Sequence, residues 1–472
     1  MPEQNIEVGK KSLRDQRIEW GSWFSILCTM AGTGILQLPY TLLQGGWLCL
    51  VLIVLIGWMT NTTGRWIVRC LYDHSRVGLL QPQNRLQGYP EVGEAAYGKY
   101  GRYIVQIFHK ATLVGVTTIF LILAGKFLLE GIGGGGEGFL ADSIGSSSPV
   151  DISKWTKIWT IVSASLLLFP VALIPTMGEI APLAAFGLLA TGFVVLEIIA
   201  FAFIFGPVTD ATVENYHLPL PDKFTNATNP EFFMHSDTSV SYKVFYLRNF
   251  PTAFAAITLS FGGHAVFPTI EKHMKTPENF EKTFNAAYLS LVAVYITAAV
   301  AGYYTFGNIT FTPILCNFPR DTSTALGAIT ATTKLMIAFH VMSAYPILMN
   351  VVVTEMEQTM GISHTRRDDD VLSKRACKRL MLRTGMVVLT CFVAVMVPFF
   401  GPVMEFVGAV CLTMIVFVLP VVFSYKLRGD SMTFAEKIWG VCIIFAGLVG
   451  GTIGGIQSII SIVDLLKAGA IQ

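Results

Sequence analysis

Met30-Ala-Gly-Thr-Gly-Ile-Leu-Gln-Leu-Pro39 and Ser260-Phe-Gly-Gly-His-Ala-Val-Phe-Pro268 read as two versions of one pattern. Each sets glycines inside a long apolar segment and places a proline five residues after the last of them. Glycine loosens the backbone and proline removes a donor, so neither suits an unbroken helix. In lipid every N–H and C=O must find a partner within the protein, and a break is tolerated only where it lines a cavity. A matched pair of Gly/Pro-interrupted segments in two halves of a chain points to a transport site near the bilayer midplane. Glycines that merely let helices pack closely are the competing explanation. Recurrence of the same spacing favours the site.

The composition supports a membrane setting. The 472 residues are 53% hydrophobic and only 14% charged, with a mean hydropathy of +0.58. Apolar runs of about 20 residues recur, the length that crosses a bilayer as helix. The expected fold class is an all-α polytopic membrane protein. Eleven spans are predicted, at 20–41, 46–69, 103–129, 154–174, 181–206, 249–272, 284–306, 325–352, 380–400, 402–425 and 435–464. The two interrupted stretches fall in the first and sixth. A repeat unit of five helices is odd, so the second copy enters from the opposite side and the repeat is inverted. The expected organisation is a tail 1–19, a first repeat 20–206, an outer loop 207–248, a second repeat 249–425, and an eleventh helix with the C-terminus at 426–472.

Cytoplasmic flanks carry an excess of Lys and Arg. With the N-terminus inside, 23 of these residues fall on inner segments and 7 on outer ones. The N-terminus is therefore expected in the cytoplasm and the C-terminus outside or in a lumen. The polar start of the chain carries no signal-peptide pattern, so the first span is expected to act as its own uncleaved signal. The sequons at Asn226 and Asn308 fall on outer segments and are candidate glycosylation sites, whereas Asn61 lies within the second span. Of eight cysteines only Cys316 falls outside, which argues against a disulfide framework. Residues 131–148 read as a flexible linker and 353–379 as a solvated basic loop. The stretch Tyr89 to Gly98 has the pattern of a short helix lying on the membrane.

Gly32-Thr-Gly-Ile-Leu-Gln-Leu-Pro-Tyr40 with Gly45-Gly-Trp47, and Phe261-Gly-Gly-His-Ala-Val-Phe-Pro268 running into Met274-Lys-Thr-Pro-Glu-Asn-Phe280, resemble the signatures of the amino acid/auxin permease superfamily. Phe339-His340 with Tyr345-Pro346 is a weaker third signature. Vesicular inhibitory, proton-coupled and vacuolar amino acid transporters share the pattern. The resemblance implies a leucine-transporter-like fold, a five-plus-five inverted repeat with an eleventh helix, and secondary transport of amino acids.

Every free amino acid carries a carboxylate and an ammonium. Interrupting the first span exposes N–H groups near Gly32, Thr33 and Gly34, a positive helix end suited to the carboxylate. The carbonyls around Cys28, Thr29 and Met30, with those of Ser260 and Phe261, suit the ammonium. The candidate substrate-binding residues are Thr29, Met30, Ala31, Gly32, Thr33, Gly34, Ser260, Phe261, Gly262, Gly263, His264 and Ser343, with Phe267 beside them. None of the expected side-chain contacts is a fixed charge, which favours a small or neutral amino acid. Glu197, in mid-span, and His264, beside the second break, are candidates for proton coupling. A neutral, hydrogen-bonded packing role is the alternative for both. Lys334 is expected to snorkel toward the outer surface and Glu405 to sit at a wetted rim. Hydroxyls of Thr332, Thr333 and Ser343 leave Na⁺ open as the coupling ion. The expected partners are thus an amino acid, H⁺ or Na⁺, and the lipid bilayer of a plasma, lysosomal, vacuolar or vesicle membrane, with no nucleic acid. No cofactor, metal-ligand spacing or nucleotide-binding loop is read, and an enzyme is not expected. A sensor with little flux and an ion channel are weaker alternatives.

Overall fold

The computed structural model describes residues 18–72, 85–132, 149–173, 181–209, 212–213, 218, 240–319, 322–362 and 374–467. The tail up to residue 17, residues 133–148 of the expected linker 131–148, Asn226 and the basic run around Arg366 lie outside the described residues.

Each predicted span finds a helix, and the first and sixth are the interrupted ones. The first is α1 (Trp20–Met30), a 3₁₀ turn Thr33–Gln37 and α2 (Leu38–Gly45), bent by 46° at the break. The sixth is α7 (Phe250–Ser260) and α8 (Phe267–Lys272), separated by six non-helical residues. Pro39 and Pro268 occupy early positions of α2 and α8, where a missing N–H costs no helical bond. The prolines thus restart the helices that the glycines interrupt.

Four further spans follow each broken one. In the first half they are α3 (Cys49–Arg69), α4 (Tyr89–Ile132), α5 (Pro149–Leu173) and α6 (Ala181–Phe205). In the second they are α9 (Phe280–Phe306), α10 (Ala325–Thr359), α11 (Lys374–Met396), and α12 (Phe400–Val407) running through a π-helical segment Gly408–Val418 into α13 (Leu419–Arg428). α14 (Phe434–Lys467) is the eleventh span. Among the described residues eight helices are long and apolar enough to cross a membrane, and the bent α1–α2 pair makes a ninth. The short helix expected from Tyr89 is the start of α4, set off by non-helical backbone at Tyr97 and Gly98. The Tyr89 hydroxyl donates to the Ile415 carbonyl at 2.8 Å, anchoring that piece against the π segment.

α1, α7 and their continuations occupy the middle of the bundle. Met30, Ile35, Leu36, Leu38, Ala253, Ala255 and Ile257 are all buried. α6 and α14, by contrast, expose long apolar side chains such as Leu196, Phe203, Phe445 and Ile456, as lipid-facing helices do. α14 packs closely along a glycine stripe: a Cβ on Gly454 would lie 2.6 Å from the Pro251 carbonyl oxygen. At one end gather Arg69, Arg85, Lys272, Lys282 and Arg428, and this is called the basic end below.

Candidate functional site

The two breaks meet. A Cβ on Gly34 would lie 2.8 Å from the Cα of Ser260, and one on Gly263 would lie 3.3 Å from the Met30 side chain. Tyr295, fully buried on α9, brings its hydroxyl to 2.8 Å from the Met30 carbonyl oxygen and 2.6 Å from that of Ser260. One phenol therefore joins the last carbonyl of α1 to the last of α7.

The remaining backbone groups at the breaks are largely unspent. Gly32 N–H turns back to Met30 O at 2.9 Å and Ile35 N–H reaches Gly32 O at 3.3 Å. The N–H groups of Thr33 and Gly34, and of Gly263, His264 and Ala265, donate to no described backbone carbonyl. The carbonyls of Cys28 and Thr29 likewise accept no described backbone bond beyond the end of α1. Such groups carry the partial charges of helix termini, positive at the N–H side and negative at the C=O side.

A cavity of about 180 Å³ opens at this point. Thr29, Met30, Gly32, Thr33 and Gly34 from the first break, and Gly262, Gly263 and His264 from the second, line it. The opposite walls are His109, Thr112, Leu113 and Val116 of α4, Leu348 of α10, and Leu412 and Ile415 of the π segment. No carboxylate, lysine or arginine is among these residues. The third span is expected to face the substrate side chain, but none of its wall residues was named from the sequence, although His109, Thr112, Leu113 and Val116 have the spacing of a single helix face.

Five expected site residues fall elsewhere. The Phe261 ring is buried away from the cavity, edge-on to Tyr295 at 5.1 Å and stacked on Tyr288 at 6.0 Å. Phe267 continues the same aromatic column onto Phe284 at 4.7 Å. Ser260 contributes the carbonyl held by Tyr295, and Ser343 lies outside the cavity wall. Ala31 is buried, and its carbonyl accepts from Thr191 of α6 at 3.3 Å.

His264 is 1% exposed. Its Nε2 pairs with the Thr63 hydroxyl at 2.8 Å, while Nδ1 has no hydrogen-bond partner. Glu197 is buried between α6 and α10, where the Thr330 hydroxyl donates to Oε1 at 2.7 Å and Oε2 has no partner. Two sequence expectations are corrected. Lys334 does not snorkel: it is 1% exposed and its Nζ meets a Glu130 carboxylate oxygen at 2.8 Å, since a carboxylate on α4 offers a nearer partner than water. Glu405 is no rim residue either. It is 2% exposed and accepts from Gln44 of α2 at 2.6 Å and from Gln37, at the end of the 3₁₀ turn, at 3.4 Å. Asn308 turns its side-chain oxygen to the Ser241 N–H at 2.9 Å.

Paired broken helices closing on an apolar cavity with free main-chain dipoles define the class of helical membrane carriers that hold substrate at discontinuous spans. The family described as transmembrane amino acid transporter protein matches residues 18–460, and this chain belongs to it. Among its relatives, amino acid transporter AVT1J of Arabidopsis thaliana is 25% identical over 462 residues, covering 97% of this chain and 95% of that protein. Lysine histidine transporter-like 6 of the same plant is 25% identical, covering 94% of this chain and 91% of the relative. The crystal structure of MhsT in complex with L-phenylalanine superposes with a TM-score of 0.54, covering 93% of this chain and 98% of that one at 11% identity. The fold is thus leucine-transporter-like, and the chain is a multi-pass membrane protein of a transporter family.

Proposed function

We propose that this protein is a proton-coupled secondary transporter of small or neutral amino acids, with the two breaks as its substrate site. The observation that carries the reading is the cavity lined by Thr29, Met30, Gly32, Thr33 and Gly34 of one break and by Gly262, Gly263 and His264 of the other, residues that bring unspent N–H and C=O groups of opposite polarity to one space. The N–H groups of Thr33 and Gly34 receive the carboxylate, and the carbonyls of Cys28 and Thr29 receive the ammonium. Main-chain dipoles then hold the zwitterion with no ionised protein side chain to desolvate. The α4 and π-segment walls, which carry no fixed charge, favour an uncharged substrate side chain.

Glu197 is the proton carrier in this reading. Its α6 reaches the first break through Thr191, six residues or about 9 Å of helix rise away. Its second oxygen is free to hold a proton. A sodium-coupled reading draws on the same place, because the Glu197 carboxylate and the Thr330 hydroxyl are both oxygen ligands that suit a hard cation. The basic end faces the cytoplasm by the charge bias, residues 20–206 and 249–425 form the inverted halves, and the resemblance leaves a plasma, vacuolar, lysosomal or vesicle membrane as host.

Uptake of labelled amino acids into proteoliposomes, with an imposed pH gradient or an imposed sodium gradient, tests this. Accumulation driven by the pH gradient alone supports proton coupling. Accumulation that follows sodium and ignores pH rejects it, and binding without flux under either gradient rejects transport.

A further inference from the structure

The basic end holds a second and larger cavity, about 710 Å³, separate from the site at the breaks. Its wall is formed by the ends of α3 and α13, the end of α8, and the start of α9. The charges on this wall do not balance. Arg69 is engaged by Glu281 at 2.5 and 2.8 Å and by Glu436 at 3.6 Å. Arg85 grips Glu271 at 2.6 and 2.8 Å, and the Tyr72 hydroxyl donates to the same carboxylate. Lys272 donates to Gln87 at 3.0 Å.

Arg428 is the exception. It lines the cavity, is only 8% exposed, makes no ion pair with a described carboxylate, and has a buried Nη1 with no hydrogen-bond partner. The carboxylates that act on it electrostatically, Glu281 and Glu436, are already held by Arg69. Its place at the end of α13 puts it near free helix carbonyls, but that attraction is small beside the cost of burying an unpaired charge. Lys282, on the same wall, is exposed and forms no described ion pair. Among the described residues, Glu278 is the one wall carboxylate not tied to an arginine.

We propose that this cavity binds a phosphate-bearing anion, with Arg428 and Lys282 as its principal ligands. A guanidinium presents two parallel donors that match phosphate oxygens, and a lysine adds a mobile point charge at the rim. A phosphate group neutralises the surplus, where a neutral ligand leaves Arg428 unpaired. The same chemistry is offered by free phosphate and by the phosphorylated headgroup of a membrane lipid. Because the wall joins α8, the half-helix beyond the second break, to the ends of α3 and α13, an occupant adds a further tie between that half-helix and its neighbours. Binding therefore stabilises the protein and slows transport.

The test is the melting temperature of the purified full chain. In detergent, inorganic phosphate is titrated against sodium chloride of equal ionic strength. In nanodiscs, phosphatidylcholine alone is compared with phosphatidylcholine containing phosphatidylinositol 4-phosphate. A rise in the first arm identifies a soluble anion, and a rise confined to the second identifies a lipid headgroup. Arg428→Gln is expected to shift the midpoint of the effective titration about tenfold or more, the usual loss for a hydrogen bond to a charged group. No rise in either arm overturns the proposal, as does an unchanged midpoint in folded Arg428→Gln. Should that variant not fold, Lys282→Gln, at an exposed position, decides by the same criterion.

Discussion

Gly34 and Ser260 are in such close contact that a methyl group on the glycine would sit 2.6 Å from the serine Oγ. The two halves of the chain touch here across their interruptions, and the spacing of the cavity between the breaks is set by this contact. Gly34→Ala is therefore expected to force the breaks apart and reduce uptake by at least tenfold while the protein still inserts. Gly192→Ala, on α6 with open space around its Cα, is the matched control and should transport at the wild-type rate. Equal uptake by the two variants would show that the contact is incidental.

Tyr295→Phe removes one hydroxyl and leaves the Met30 and Ser260 carbonyls without their shared donor. An unsatisfied buried acceptor costs about 1–3 kcal/mol, so thermal unfolding should come earlier. Uptake should fall more than stability accounts for, because the same bond sets the relative position of the breaks. The check is transport measured well below the unfolding range of both proteins.

Glu197→Gln imitates the protonated carboxyl permanently. Exchange of labelled for unlabelled amino acid, which needs no net proton movement, should persist, while accumulation driven by a pH gradient should vanish. Full pH-driven accumulation in this variant would remove Glu197 from the coupling step.

Lys334→Met takes the ammonium away from the Glu130 carboxylate, which keeps its contact with the Cys316 Sγ at 3.9 Å, and removal of one partner from a buried ion pair typically costs about 3–5 kcal/mol. The double variant Lys334→Met/Glu130→Leu should recover most of that loss, since apolar residues can replace a buried pair without a stranded charge. Thermal unfolding of the two single variants and the double variant gives the coupling directly.

Much of the architecture was legible in the sequence because lipid enforces simple rules. A spanning helix must be long and apolar, and only glycine and proline mark where its bonding fails. The twin stretches at Met30 and Ser260 consequently located both breaks. The partners of the polar groups were not legible. Lys334 and Glu130 lie far apart in sequence, as do Gln44 and Glu405, and no periodicity of one helix reveals which other helix supplies a counter-charge. Phe261 was misplaced for a related reason. Its neighbours in sequence suggested a pocket, but the ring follows the column of Tyr288 and Tyr295 on α9, which a local reading cannot see. Tyr295 itself looks like any aromatic residue in an apolar run, and only its position across from both interruptions gives it a role.

A phenol owns a single hydrogen, yet two acceptors stand within reach of the one on Tyr295. The Met30 carbonyl keeps the Gly32 N–H at 2.9 Å whichever way that hydrogen points, whereas no described backbone N–H reaches the Ser260 carbonyl. The joint between the two interruptions therefore hangs on α9, a helix belonging to neither interrupted span, and whatever displaces α9 displaces both breaks together.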